Sequence, residues 1–198
     1  MSKNIFRLIT GLSSMTISIL FFCQNWPNPA VAVTAVFLTL ICLIDTIKAK
    51  IPNITTLSFA IVGLGLNWFN TGANGLFFAA MGLVLGLLLF LIPYLMGGMG
   101  AGDVKALAAL GALLGPGAIF QVFLYTSLIG GVLSILHYLF DPNLSERLTT
   151  WRAAIFAFLA TKERQAFQPV ATGEKLKFPY ASAIAFGYCA FLNWGAIF

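Results

Sequence analysis

The chain is predicted to be all-α, a polytopic membrane bundle of about seven transmembrane helices with a further amphipathic helix on its cytoplasmic side. Three observations carry that prediction. Of its 198 residues, 60% are hydrophobic and only 9% are charged, whereas a soluble domain carries about 25% charged residues. Mean hydropathy is +0.94. The apolar residues are gathered into stretches close to the ~20 residues that a bilayer crossing requires. So few charges cannot cover a water-exposed surface, so a soluble globule is excluded, as are disorder and collagen-like repetition.

The stretches run over 5–23, 30–48, 54–70, 75–96, 98–114, 117–139 and 178–197. Between them lie QNWPNP, KAKIPN, NTGANG, GGMGAGD, GPG and a long polar stretch over 141–177. Pro, Gly and Asn dominate the short breaks, as turns require. The first stretch has features of a secretory signal, with Lys3 and Arg7 before the apolar run and small residues in PAVAV after it. An uncleaved helix is expected instead, because a second long apolar segment follows almost at once. The chain therefore divides into an extra N-terminal helix, 1–28, and a membrane region, 29–198. The fifth stretch is the shortest match to the bilayer, about 25 Å at 1.5 Å per residue. In 141–177, Leu144, Leu148, Trp151, Ile155 and Leu159 recur at spacings of three and four beside Arg147, Arg152, Lys162 and Arg164. That pattern suits a helix lying on an anionic inner leaflet.

Charge placement sets the orientation. With the N-terminus inside, all 11 basic residues fall on the cytoplasmic side: Lys3, Arg7, Lys48, Lys50, Lys105 and the six of the long loop. The opposite breaks contain none. This is the positive-inside pattern, so a pI near 9.3 reports membrane orientation rather than nucleic-acid binding. The chain is expected to start in the cytoplasm and end outside it. Cys23, Cys42 and Cys189 each lie in an apolar stretch and form no CxxC pair. They read as small buried hydrophobes, with no disulfide framework, no metal site and no cofactor expected.

Acids within membrane segments are costly and therefore informative. Asp141, Glu146, Glu163 and Glu174 fall in the cytoplasmic loop. The other two acids are Asp45, near the end of the second stretch, and Asp103, at the start of the fifth. An even number of crossings separates them, so they lie on one side of the bilayer whichever way the protein is inserted. Two carboxyls that face each other share a proton and titrate as a pair. Such a pair suits aspartic peptide hydrolysis, in which the ionised acid takes a proton from water and its protonated partner polarises the scissile carbonyl. The lone His137, near the end of another span, gives a Ser–His–Asp or zinc-hydrolase scheme little to build on. Gly97, Gly98, Gly100 and Gly102 crowd before Asp103 and permit close backbone approach, by a substrate strand or by another helix. Lys105 either tunes Asp103 or marks the cytoplasmic boundary. Pro52 turns the chain out of helix after Asp45, and Asn53 is expected to cap the third helix.

IDTIKAKIPN at 44–53 together with GMGAGDVK at 98–105 resembles the paired signatures of type IV prepilin peptidases, intramembrane aspartic proteases with a GxGD motif. FPYASAIAFG at 178–187 resembles the stretch opening the last span of the short, CpaA/TadV-like members of tight-adherence (Flp) pilus systems, with Ala181 where glycine is usual. The likeness covers residues 30–198. It implies a six-helix peptidase core, with Asp45 and Asp103 as the catalytic pair and Gly100, Gly102, Lys105, Pro52 and Asn53 as supporting residues. It also implies a bacterial inner-membrane location and cleavage of prepilin-like leaders at the cytoplasmic face. Larger relatives carry a cysteine-rich cytoplasmic domain and N-methylate the product; this chain lacks those cysteines, so methyl transfer is not expected. The extra first helix exceeds the short form and is left without a role. Alternatives are a transporter or proton-conducting protein that uses the two acids, a catalytically silent pilus-assembly scaffold, or a presenilin-like protease acting on other membrane peptides. Both acids sit at one interface rather than at mid-membrane, which disfavours a proton relay.

Overall fold

A computed structural model describes residues 3–24, 29–48, 50–96, 99–139 and 180–197. Among these residues the fold is wholly helical. In chain order the helices are α1 (Lys3–Gln24), α2 (Pro29–Lys48), α3 (Asn53–Thr71), α4 (Ala73–Leu95), α5 (Ala101–Leu114), α6 (Pro116–Leu139) and α7 (Tyr180–Trp194). Three contain spans long and apolar enough to cross a bilayer: Ala30–Lys48, Ala73–Leu95 and Pro116–Leu136. The amphipathic helix expected within 141–177 lies outside the described residues.

The helices α1, α2, α3, α4, α6 and α7 contact one another in that circular order, and α5 packs inside against α2, α3, α4, α6 and α7. From Val104 to Leu113 only Lys105 of α5 is exposed. With 14 residues, α5 spans about 21 Å, shorter than a bilayer core. Because its neighbours enclose it, it has no need to match the lipid thickness. The outer faces tell the opposite story: Leu12, Leu20, Ile61, Phe69, Phe77, Leu88, Leu128 and Val132 are all exposed. An apolar surface of this kind is stable against lipid and not against water.

Small residues set the spacing around α5. Gly75, Ala79, Gly82, Gly86 and Phe90 form the buried face of α4. A Cβ at Gly82 would strike the Gly111 carbonyl of α5, and one at Gly111 would strike that of Gly82. Gly86 lies as close to α5, where a Cβ would stand 2.6 Å from the Leu107 carbonyl oxygen. On the other side, Gly63 of α3 meets the Ala112 backbone, and Asn67 Nδ2 donates to the Ala112 carbonyl at 3.1 Å. In an apolar solvent, helix association depends on such close backbone approach and on interhelical hydrogen bonds.

The turns are tighter than the sequence suggests. In NTGANG only Gly72 separates α3 from α4, and in GPG only Gly115 separates α5 from α6. Both have positive φ, 64° and 81°, which lets one residue reverse the chain where an L side chain is strained. Pro116 then occupies the first position of α6, where its missing N–H costs nothing. The fifth helix starts later than expected, at Ala101 rather than 98, because Gly100 is extended (φ −84°, ψ 150°).

Filling the α4–α5 contact should therefore unfold the bundle locally. Gly111→Val is expected to destabilise the protein by about 1–3 kcal/mol, the usual cost of an overfilled core. A thermal melt in detergent reads this as a lower midpoint. Gly65→Ala, at a position with nothing within 4 Å, should keep or raise the midpoint, since Ala is the better helix former.

Candidate active site

Asp45 lies one turn from the end of α2, and Asp103 is the third residue of α5. The two helices run in opposite senses relative to that end of the bundle, so both acids arrive at it. Both are buried, with exposures of 8% and 9%. They are near enough for each carboxyl to feel the other's charge. Two acids distant in sequence thus lie buried at the same end of the bundle. The exposed Lys48, Lys50 and Lys105 surround the same end.

The glycine loop shapes the Asp103 side. The Gly100 N–H donates to Asp103 Oδ2 at 3.1 Å, and the Asp103 N–H donates to the Gly100 carbonyl at 3.1 Å. The aspartate thus reaches back over the first turn of its own helix, as the acidic member of a capping box does. This bond fixes one carboxylate oxygen and constrains the side-chain torsions. A Cβ on Gly100 would sit 3.1 Å from that oxygen. Gly102 answers a different need. Its Cβ would lie 3.1 Å from the Ile51 Cβ and 3.4 Å from the Ile51 carbonyl oxygen. Glycine there lets the turn after α2 close directly onto the start of α5.

That turn is organised differently from the sequence expectation. Asn53 does not cap α3. Pro52, extended at φ −67° and ψ 140°, occupies the cap position and offers no side-chain hydrogen bond. Proline needs no change of φ to adopt this conformation, and Asn53 becomes the first helical residue. Its side chain is turned to α5, where Asn53 Oδ1 accepts a 2.9 Å hydrogen bond from Lys105 Nζ. The bond ties the segment after Asp45 to the helix that carries Asp103. All five supporting residues, Gly100, Gly102, Lys105, Pro52 and Asn53, are therefore gathered at this end, in contact with the acids or with the turn between them.

Other motif residues border the same region. Cys42, one turn before Asp45, lies 3.4 Å from the Ala181 carbonyl oxygen at the start of α7, with its thiol as donor. Cys42 and Cys189 are free and buried. A cavity of about 380 Å³ opens between α4 and α6, with Met99 of the glycine loop and Tyr180 of α7 on its wall. No group of three or more His, Cys, Asp or Glu side chains placed to hold a metal occurs among the described residues. The side chains of His137 and Cys23, and residues Gly97 and Gly98, lie outside them.

Two features of the site escape a motif-based reading. Ile51 forms the wall against Gly102, yet it looks like an ordinary apolar residue between Lys50 and Pro52. The flank of α2 that faces α1, with Cys42 and Thr46, is the second. Its signal is the four-residue spacing of Thr10, Ser14 and Ser18 along α1.

Comparison with curated proteins gives no match, and neither does comparison with solved structures. A profile described as the type IV leader peptidase family matches residues 32–135. That match covers just over half the chain and contains α3, α4, α5, nearly all of α2 and both aspartates. The chain belongs to the type IV leader peptidase family.

Proposed function

We propose that this protein is an intramembrane aspartic endopeptidase that removes the leader peptide from prepilin-like precursors at the cytoplasmic face of the membrane. The observation that carries this reading is the burial of Asp45 and Asp103 together at one end of the bundle. Membership of a leader peptidase family supports the substrate class. The clustering of exposed lysines at the same end supports the cytoplasmic side, by the positive-inside rule.

The chemistry follows from the pair. Crowded into a poorly solvated site, two carboxyls hold one proton between them. The ionised acid removes a proton from a water molecule, and the water oxygen attacks the scissile carbonyl carbon. The protonated acid donates to the carbonyl oxygen as it gains charge. Collapse of the tetrahedral adduct breaks the C–N bond, and a proton passes to the departing amine. The acid and base are then restored without a covalent intermediate. The Gly100–Asp103 hydrogen bond and the Gly102–Ile51 contact hold the pair in place. Residues 29–198 make up the peptidase region with six crossings, α1 adds a seventh, the N-terminus lies in the cytoplasm and no methyl group is transferred to the product.

Co-expression with a cognate prepilin tests the reading. Asp45→Asn and Asp103→Asn should each lower processing by at least about 10²-fold, the scale of a lost general acid or base. Undiminished processing in both variants would exclude an aspartic mechanism at this pair. Gly102→Val should impair cleavage strongly by driving Ile51 away. Lys105→Met, which loses only the exposed hydrogen bond to Asn53, should lower the rate less than about tenfold, in line with the modest value of solvent-exposed polar contacts. A loss as deep as that of the aspartate variants would place Lys105 in the chemistry itself.

A further inference from the structure

Helix α1 precedes the residues matched by the family profile, and the catalytic scheme assigns it nothing. Its placement is specific. The most extensive contact of α2 is with α1; its contacts with α3 and α5 are much smaller. The helix that carries Asp45 is therefore held chiefly by α1.

The contact surface is unusual for a lipid-facing helix. α1 buries Thr10, Gly11, Ser14 and Ser18 and leaves Leu8, Ile9, Leu12, Ile19 and Leu20 exposed. At its centre, a Cβ on Gly11 would collide with Thr46 Oγ1 and stand 3.0 Å from both Thr46 Cβ and Cγ2. Thr46 directly follows Asp45. Its hydroxyl donates to the Cys42 carbonyl at 2.7 Å, so the side chain cannot turn aside without giving up that bond. One turn along, Ser14 Oγ donates to the Gly11 carbonyl at 2.9 Å. Thr46 lies about 100° around α2 from Asp45, so the Gly11–Thr46 contact sets the rotation of α2 about its axis without occupying the face of Asp45.

From this geometry we infer that α1 is a built-in brace for the Asp45 helix, with Gly11 and Thr46 as positioning residues for the reaction. The inference rests on the aspartic reading above. Aspartyl chemistry demands tight placement, and an error of about 1 Å costs on the order of 10²-fold in rate. A single methyl group at position 11 fits only if Thr46 gives up its bond to Cys42 and α1 and α2 shift relative to each other.

The substitution Gly11→Ala is a clean probe, because Ala favours helix by about 1 kcal/mol over Gly. Any defect must then come from the contact and not from loss of α1. The full chain, reconstituted with a prepilin-like substrate, is assayed as wild type, Gly11→Ala, Thr46→Ile and the double variant Gly11→Ala/Thr46→Ala. The expected result is a fall in kcat of about tenfold for Gly11→Ala, within the range set by misplacement, with KM little changed. Thr46→Ile, which overfills the gap from the other side, should show the same pattern and serves if Gly11→Ala fails to accumulate. The double variant should recover most of the rate.

A second readout needs no activity. Asp45→Cys and Asp103→Cys are combined, and a short thiol–thiol reagent links the two positions, with the product mapped by mass spectrometry. Gly11→Ala should lower the yield, and adding Thr46→Ala should restore it. An unchanged kcat and an unchanged cross-link in Gly11→Ala would overturn the brace, as would a defect that Thr46→Ala does not relieve. A wild-type protein that cleaves no prepilin-like substrate, with a double-cysteine form whose cross-link responds to Gly11→Ala and Thr46→Ala as described, would instead sink the aspartic reading and leave the brace standing.

Discussion

Two carboxyl groups buried at the same end of a helical bundle impose the constraint that the surrounding structure meets. A buried charge is costly, and two together cost more, so nothing in the packing of apolar helices would bring Asp45 and Asp103 together unaided. Backbone geometry does so. The Gly100 N–H holds one oxygen of Asp103 at 3.1 Å, and Gly102 lets Ile51 press against the first turn of α5. The Asn53–Lys105 hydrogen bond closes the same join at the surface.

The helix carrying Asp103 is the best-enclosed element of the molecule. α5 is short, almost wholly buried and set between α3 and α4 through Gly63, Gly82, Gly86 and Gly111. Each glycine replaces a side-chain layer with direct backbone contact. This is how association is achieved where burying Leu against Leu gains nothing over burying Leu against lipid. A rigid α5 supplies one fixed carboxyl. The other arrives on α2, which is packed mainly by the small and polar face of α1. The pair is thus assembled from a central post and a braced outer helix.

Much of this was legible beforehand. Mean hydropathy and the spacing of turn residues located the seven helices, because apolar length and helix-breaking chemistry are local properties. The two motifs singled out both acids and their five supporting residues. Less legible were the features that depend on what lies opposite. Asn53 was expected as a cap, since asparagine commonly accepts backbone N–H groups. With Pro52 already in the cap conformation and Lys105 across the gap, its side chain was drawn to α5 instead. The one-residue turns at Gly72 and Gly115 were masked by neighbours that read equally well as loop or helix.

The amino-acid sequence by itself determined that the chain is helical and apolar, that Asp45 lies near the end of one apolar stretch and Asp103 at the start of another, and which family the chain belongs to. Those facts depend on composition, periodicity and the order of residues along the chain, none of which needs a partner in space. Only the tertiary structure decided that the two carboxyls come within electrostatic reach and that Ile51 closes onto Gly102. It alone showed that α1 lies flush against Thr46 through Gly11. Each of these depends on the rotation of a helix about its axis and on its distance from a neighbour. Hydropathy leaves that rotation open, because a helix facing lipid outside and apolar helices inside is nearly equally hydrophobic all round.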